Sequence, residues 1–173
     1  MTIEEISHSI CSPLQQFDAV QVGSFPIGVD VPGSDVDIVC CFADQLAFIE
    51  YVNHHFSHFG GYVQKMVTSR GVESVVCRFV AFGANIEIFA QKTPVRLQYA
   101  WRHMVVEERL LRLGGVEFRN RVMALRKAGM KTEQAFASAL QLQGDSYEAI
   151  NTLCDATDHH LISLISRAAA NTM

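Results

Sequence analysis

Three short apolar runs separated by two-residue turn signals limit the fold more than any other feature of this sequence. The runs cover residues 62–69, 75–81 and 85–90, and Arg70-Gly71 and Phe82-Gly83 lie between them. Apolar runs of this length with such spacings are typical of β-hairpins or a meander. They predict three consecutive strands in the middle of the chain.

Helical patterns surround these strands. Apolar residues recur every three or four positions, which indicates helices with one buried face. The predicted helices cover residues 2–10, 44–58, 93–113, 116–127, 132–142 and 146–169, and two further strands cover residues 18–22 and 35–42. Thr93-Pro94 is a cap signal, and Gly114-Gly115 is a stop signal. We therefore predict an α+β fold with a mixed sheet and packed helices over 1–92 and a helical region over 93–173 packed on it, as one structural unit.

Composition excludes several classes of protein. The chain has 173 residues, of which 49% are hydrophobic and 18% charged, and its net charge is −4. This balance excludes intrinsic disorder and argues against binding to duplex DNA. The most apolar stretch, residues 75–89, is interrupted by charges and is shorter than the roughly 20 residues of a membrane span. Five cysteines without a C-x-x-C pair indicate reduced thiols, and with no signal-peptide pattern at Glu4-Glu5 we expect a cytoplasmic location.

The residues best suited to chemistry follow the first predicted strand. That strand runs into Gly23-Ser24, where glycine allows a ligand to approach the backbone and serine offers a hydroxyl and an N–H group. A turn with available N–H groups binds anions. Asp35 and Asp37 begin the next strand, and they point to the same face because they are two residues apart.

A carboxylate pair beside an anion-binding turn suggests a metal site. Two neighbouring carboxylates resist joint ionisation, and a bound divalent cation removes this conflict. Mg²⁺ is usually held by one or two carboxylates together with substrate phosphates. The expected cofactor is Mg²⁺ or Mn²⁺, and the expected chemistry is metal-assisted phosphoryl or nucleotidyl transfer. An ordinary solvated turn is the alternative.

The segment GSFPIGVDVPGSDVD resembles the motif GSxxxGxxxxxSDxD of the DNA polymerase β-like nucleotidyltransferase superfamily. The matching residues are Gly23, Ser24, Gly28, Ser34, Asp35 and Asp37. The sequence is also similar to one bacterial family of unknown function within that superfamily. The similar text there is NIEIFAQ (85–91), YAWRHMVVEERLL (99–111) and KTEQAFASALQLQGDSYEAI (131–150), so the resemblance spans residues 20–150.

This resemblance implies both a fold and a set of roles. The fold would be a nucleotidyltransferase-like mixed sheet followed by helices that help to close a cleft. Gly23 and Ser24 would contact the β- and γ-phosphates of a nucleoside triphosphate, and Asp35 and Asp37 would bind Mg²⁺. A third carboxylate on a neighbouring strand would complete a two-metal site.

We choose Glu87 as that third carboxylate. In NIEIF, Ile86 and Ile88 share one face of the strand and Glu87 lies on the other. An ionised Glu within an apolar strand is costly unless it is paired or bound to metal. A Glu on an edge strand facing water is the alternative, and Glu73, beside a turn, is the second choice.

Three further residues are candidates for phosphate binding. Ser34 directly precedes the carboxylate pair. Arg78, in the middle of a strand, would either bind a phosphate with two N–H groups or pair with a carboxylate. Lys92 follows the Glu87 strand and would reach a phosphate or stay a solvated charge.

The helical half offers candidates for the acceptor side of the cleft. His103 and Glu107 are four residues apart and share a helix face. Facing a cleft, His103 would orient or deprotonate an acceptor hydroxyl, with Glu107 fixing its tautomer; the alternative is a buried pair that braces the helix. Arg102 and Lys131 are further candidates for contact with a phosphate or an acceptor.

Three functions remain open at this point. The first is metal-dependent nucleotidyl transfer from a nucleoside triphosphate to a hydroxyl acceptor, which is a small molecule, an RNA end or a protein. The second is a non-catalytic module that binds or senses nucleotides. The third is an antitoxin-like protein that modifies a partner. No membrane partner is expected.

Overall fold

The computed structural model describes residues 1–171, which form two compact units. The first unit comprises residues 1–26 and 33–101, and the second comprises residues 27–32 and the chain from Arg102 onward. The strands are β1 (Val20–Val22), β2 (Val36–Cys41), β3 (Gly60–Ser69), β4 (Val72–Ala81) and β5 (Ala84–Gln91). The helices are α1 (Ile3–Cys11), α2 (Gln45–Phe56), α3 (Tyr99–Lys127), α4 (Thr132–Ala139), α5 (Ser146–Thr152) and α6 (Asp158–Ala170). The predicted α+β class with C-terminal helices is confirmed.

The five strands of the first unit form one mixed sheet in the order β1-β2-β5-β4-β3. β5 runs parallel to β2, and the other neighbours are antiparallel. The predicted meander is confirmed, because β3, β4 and β5 are joined by the turns Arg70-Gly71 and Phe82-Gly83. All four of these turn residues have positive φ angles, which a tight hairpin of type I′ requires.

One face of this sheet is the floor of the first hydrophobic core. Alternate residues of the strands point into it and are fully buried, as Ile38, Ile88 and Cys77 illustrate. Ile10 of α1 and Phe48 of α2 pack in the same cluster. Burying a side chain of this size contributes about 1.5–3 kcal/mol. Because side chains alternate along a strand, the polar residues between these positions point to the opposite face.

The second unit is helical and has a core of its own. Val106 and Phe118 of α3 pack with Phe136 of α4, Ile150 of α5 and Leu161 of α6. The stop predicted at Gly114-Gly115 takes the form of a kink, since Gly115 has a φ of 62° within α3.

Two predicted helix boundaries are wrong. The helix expected from Thr93 begins at Tyr99, because Gln98 has an extended backbone and its buried amide donates to the carbonyls of Cys40 and Thr93, each at 2.8 Å. The single helix expected over 146–169 is two helices, α5 and α6. The second of these, α6, begins at Asp158 because Thr157 caps it and accepts a hydrogen bond from the His160 N–H at 3.3 Å.

Two further expectations from the sequence concern the cysteines and membrane-spanning helices. All five cysteines lie within the described residues and are free thiols. Across residues 1–171, no helix is both long enough and apolar enough to cross a lipid bilayer.

Candidate active site

A row of three charged side chains crosses the sheet on the face opposite the first core. Asp37 on β2 is the direct partner of Glu87 on β5, and Glu87 is the direct partner of Arg78 on β4. Residues that face each other across strands project to the same side. The fold therefore brings together Asp37 and Glu87, which were chosen from the sequence as metal ligands, and adds a guanidinium next to them.

The Gly23-Ser24 turn lies directly against this row. Val22, the last residue of β1, pairs with Asp37. Gly23 has a φ of +82°, and a Cβ on it would collide with the Asp37 carboxylate oxygen Oδ2. Ser24 is 4% exposed. Glycine is thus required here both by the backbone conformation and by the closeness of the turn to the carboxylate.

Glu87 and Arg78 form an ion pair. Arg78 Nε donates to Glu87 Oε2 at 2.6 Å, and Nη2 lies 2.5 Å from the same oxygen. The Glu87 side chain is 24% exposed and the Arg78 side chain 64% exposed. Of the two possibilities that the sequence left open for Arg78, pairing with a carboxylate is the one that this structure contains.

A cavity of about 300 Å³ opens beside the ion pair. Asp35 lines it together with Arg78 and Glu87, so the first acidic residue of the motif and the proposed third one border the same space. The complete lining is Asp35, Gly61, Arg78, Phe79, Val80, Asn85, Ile86 and Glu87. Asn85 and Gly61 were not among the predicted site residues, although Asn85 shares a strand face with Glu87.

The donor chemistry of this site fits a hard divalent cation. Asp35 is exposed and Asp37 half-buried, and both offer carboxylate oxygens, those of Asp37 next to the turn. Within residues 1–171, no three His, Cys, Asp or Glu side chains converge into a ready cluster of ligands. Glu87 is held by Arg78 instead. One or two carboxylates completed by substrate phosphates are the usual set for Mg²⁺, and Asp35 and Asp37 match it.

The other two residues proposed from the sequence to bind phosphate are Ser34 and Lys92. Ser34 is half-buried and immediately precedes Asp35. Lys92 is exposed and follows the last residue of β5. It lies five positions after Glu87, which along an extended strand corresponds to roughly 16 Å. The structure therefore does not bring Lys92 to the charged row.

The candidates on the helical half lie in the second unit. Arg102 donates to Asn151 Oδ1 at 3.2 Å and to Asp155 Oδ2 at 3.0 Å. His103 and Glu107 are both 2% exposed. His103 Nδ1 lies 3.6 Å from a carboxylate oxygen of Glu133.

Glu107 is a buried acid with an altered ionisation. Burial raises its pKa well above the ordinary value, the nearby Glu133 carboxylate raises it further, and Arg126 lowers it. Its Oε1 atom accepts no hydrogen bond from the described residues.

Lys131, at the start of α4, is exposed, and its backbone N–H donates to Gln134 Oε1 at 3.1 Å.

The sheet, the turn and the carboxylate row define a protein with the nucleotidyltransferase fold. The chain is similar to the Cid1 poly(U) polymerase with Mg and 3′-dATP bound, with a TM-score of 0.53 and 14% identity over 85% of this chain and 46% of that one. It is also similar to a cytoplasmic RNA terminal U-transferase, with a TM-score of 0.54 and 15% identity over 85% and 44% of the two chains.

A third similar structure is the GLD-2/RNP-8 complex, with a TM-score of 0.53 and 12% identity over 98% of this chain and 75% of that one. The chain thus spans less than half the length of the first two structures. At these identities the similarity establishes the fold.

Residues 4–153 match the domain of unknown function DUF4269, and the chain belongs to that family. No curated protein sequence matches it.

Proposed function

We propose that this protein transfers a nucleotidyl group from a nucleoside triphosphate to a hydroxyl acceptor. The observation that carries the proposal is the contact of Gly23 with Asp37, next to Asp37's strand partner Glu87. It puts an anion-binding turn and two carboxylates within one small area of the sheet. Few other chemistries need that combination.

Each residue would have a defined role. The backbone N–H groups and hydroxyl of Gly23-Ser24 would hold the β- and γ-phosphates, and Ser34 would assist. Asp35 and Asp37, together with Glu87, would hold Mg²⁺ or Mn²⁺. When bound, such a cation neutralises phosphate charge and lowers the pKa of the attacking hydroxyl.

The similar structures support the choice of a nucleoside triphosphate as donor and of RNA as the first acceptor to test. They include Cid1 poly(U) polymerase bound to MgATP and to MgGTP, and a cytoplasmic RNA terminal U-transferase. A nucleoside triphosphate is accordingly the proposed donor, and an RNA end is the first acceptor to test. Small molecules and proteins are the acceptors to test next.

A second function is favoured by the ion pair between Arg78 and Glu87. With its carboxylate neutralised by a guanidinium at 2.6 Å, Glu87 is a poor metal ligand. A site with two metal-binding carboxylates instead of three would bind a nucleotide with its Mg²⁺ and transfer nothing. The protein would then be a nucleotide-binding module.

The experiment that separates these functions uses α-labelled ATP and UTP with Mg²⁺ or Mn²⁺ and a short RNA. Transfer of label by the wild type, abolished in Asp37→Asn, supports catalysis. Binding of nucleotide without transfer to any acceptor supports the module. The matched control is Glu50→Gln, an exposed acid on α2, which keeps wild-type activity. If nucleotide with metal does not bind, both functions are wrong.

A further inference from the structure

The loop between the Gly23-Ser24 turn and the aspartates Asp35 and Asp37 is held by the second unit. Residues 27–32 belong to the helical second unit. Ile27 and Val29 are 6% and 0% exposed and pack in the core that contains Val106 and Phe118 of α3. A loop that would ordinarily be solvated is therefore held by two buried apolar side chains.

Two arginines of α3 also hold the backbone of this loop. Arg119 Nη1 donates to the carbonyl oxygens of Ile27, at 3.2 Å, and Gly28, at 2.9 Å. Arg126 Nε donates to the carbonyl oxygen of Val29 at 3.1 Å. Three consecutive carbonyls thus accept hydrogen bonds from guanidinium groups, which are stronger than bonds between neutral partners.

Gly28, one of the glycines of the sequence motif, lies beside Arg119. Its φ is +65°, and a Cβ built on it would lie 3.4 Å from Arg119 Nη1. A Cβ at that distance makes an ordinary contact with the guanidinium, so the preference for glycine at this position comes from its positive φ, which would strain any other residue.

We propose that Arg119 and Arg126 are positioning residues for the nucleotide site. Ser24 precedes the held segment by three residues and Asp35 follows it by three. With its middle fixed to α3, the segment has few conformations, and so the phosphate-binding turn and the carboxylate pair at its two ends are pre-ordered for the ligand. This inference rests on the proposed function.

α3 supplies a matched control for the test. Arg121 lies on the same helix as Arg119, is likewise half-buried, and donates through Nη1 to a backbone carbonyl, that of Ala139, at 3.2 Å. Arg121→Ala thus removes the same kind of hydrogen bond without touching the loop. Arg126 is the poorer choice for substitution, because its loss would also remove the positive charge that lowers the pKa of the buried Glu107.

The experiment compares wild type, Arg119→Ala, Arg119→Lys and Arg121→Ala in two measurements. Hydrogen exchange of the amides of residues 27–33, without ligand, reports on the loop itself. Calorimetric titration with ATP or UTP in the presence of Mg²⁺ reports on the site. Thermal unfolding of each variant reports any general loss of stability.

Arg119→Ala is expected to exchange faster in residues 27–33 and to bind nucleotide about tenfold more weakly, whereas Arg121→Ala stays within about twofold of wild type. Arg119→Lys recovers part of the affinity, since an ammonium group donates to the same carbonyls. Equal nucleotide affinity in the two alanine variants would overturn the positioning role. A wild type that binds no nucleotide would overturn the proposed function and the positioning role with it. Faster exchange in Arg119→Ala would then still confirm that the arginine holds the loop.

Discussion

Asp37 and Glu87 are direct partners across the parallel strands β2 and β5, although α2 and two other strands separate them in sequence. Like charges placed directly opposite each other destabilise a sheet unless an opposite charge lies near. Arg78 supplies that charge from the next strand. The sheet thus holds an acidic pair whose repulsion a cation relieves, whether it is a guanidinium or a metal ion.

The closeness of the turn to Asp37 can be tested with two alanine substitutions. Gly23 and Gly33 both have positive φ angles, +82° and +89°, but only at Gly23 does a Cβ collide with another side chain. Gly33→Ala should cost about 1–2 kcal/mol in the free energy of unfolding, through backbone strain. Gly23→Ala should cost more and also abolish nucleotide binding. Urea unfolding and calorimetry measure the two effects, and equal results for both variants would contradict the contact.

The ion pair predicts a competition between Arg78 and a metal ion for Glu87. Arg78→Gln should bind Mn²⁺ more tightly in the absence of nucleotide, because the carboxylate is released. An ion pair this exposed is screened by water and contributes at most about 1 kcal/mol, which corresponds to a gain of about fivefold or less. Electron paramagnetic resonance of free Mn²⁺ measures the affinity.

Lys65→Ala is the control for this competition. Lys65 is exposed on β3 and pairs with Val76, so it projects from the same face as Arg78, two positions along. Its loss removes one positive charge from that face without releasing Glu87. A similar gain in Mn²⁺ affinity in both variants would mean that general charge, rather than the ion pair, controls metal binding.

Glu107 should make the protein less stable as the pH rises. Its pKa is raised in the folded state, chiefly by burial, so the folded protein holds this proton more tightly than the unfolded chain does. The stability from that proton is complete below the ordinary pKa of 4.5 and is lost as the pH rises through the folded-state pKa. Glu133 adds to the shift and Arg126 opposes it, and His103 is the titratable neighbour of Glu133.

Glu107→Gln removes this titration. The variant should be more stable than wild type by about 1–3 kcal/mol at pH 8 and should lose the advantage near pH 4.5. Denaturant unfolding across this range measures the difference. Glu108→Gln, at the exposed neighbouring position, should change little. A wild type with the same pH dependence as Glu107→Gln would show that the carboxyl is ionised in the folded protein.

Asp158 should have the opposite pH dependence. It accepts hydrogen bonds from Arg109 at 2.7 Å and Arg112 at 3.3 Å, and these bonds lower its pKa. A lowered pKa gives stability that is present above the ordinary value of 3.8 and is lost as the pH falls through the folded-state pKa. Asp158→Asn should therefore lower the melting temperature at pH 7 but not at pH 2. The control is Glu117→Gln, which removes an exposed acid from α3, the helix that carries both arginines. An equal loss of melting temperature in this variant would contradict the prediction.

Local sequence signals predicted the parts of the fold that depend on neighbouring residues. The turns at Arg70-Gly71 and Phe82-Gly83 were predictable as hairpins because each is a two-residue connection between strands whose second residue is glycine, which adopts a positive φ without strain. Asp145 caps α5 by accepting from the Glu148 N–H at 3.0 Å, as its position predicts. The start of α3 was not predictable in this way, because it depends on the contact of Gln98 with the distant Cys40 carbonyl.

The sequence by itself determined the chemical types available, namely a Gly-Ser turn, two aspartates two residues apart and a glutamate in an apolar strand, because these follow from residue identity and spacing. Only the tertiary structure decided which of them meet. Strand order pairs Asp37 with Glu87 and Glu87 with Arg78, and the arginines of α3 hold the carbonyls of the loop. Contacts between residues far apart in the chain depend on strand register and packing of the whole fold, which no local pattern contains.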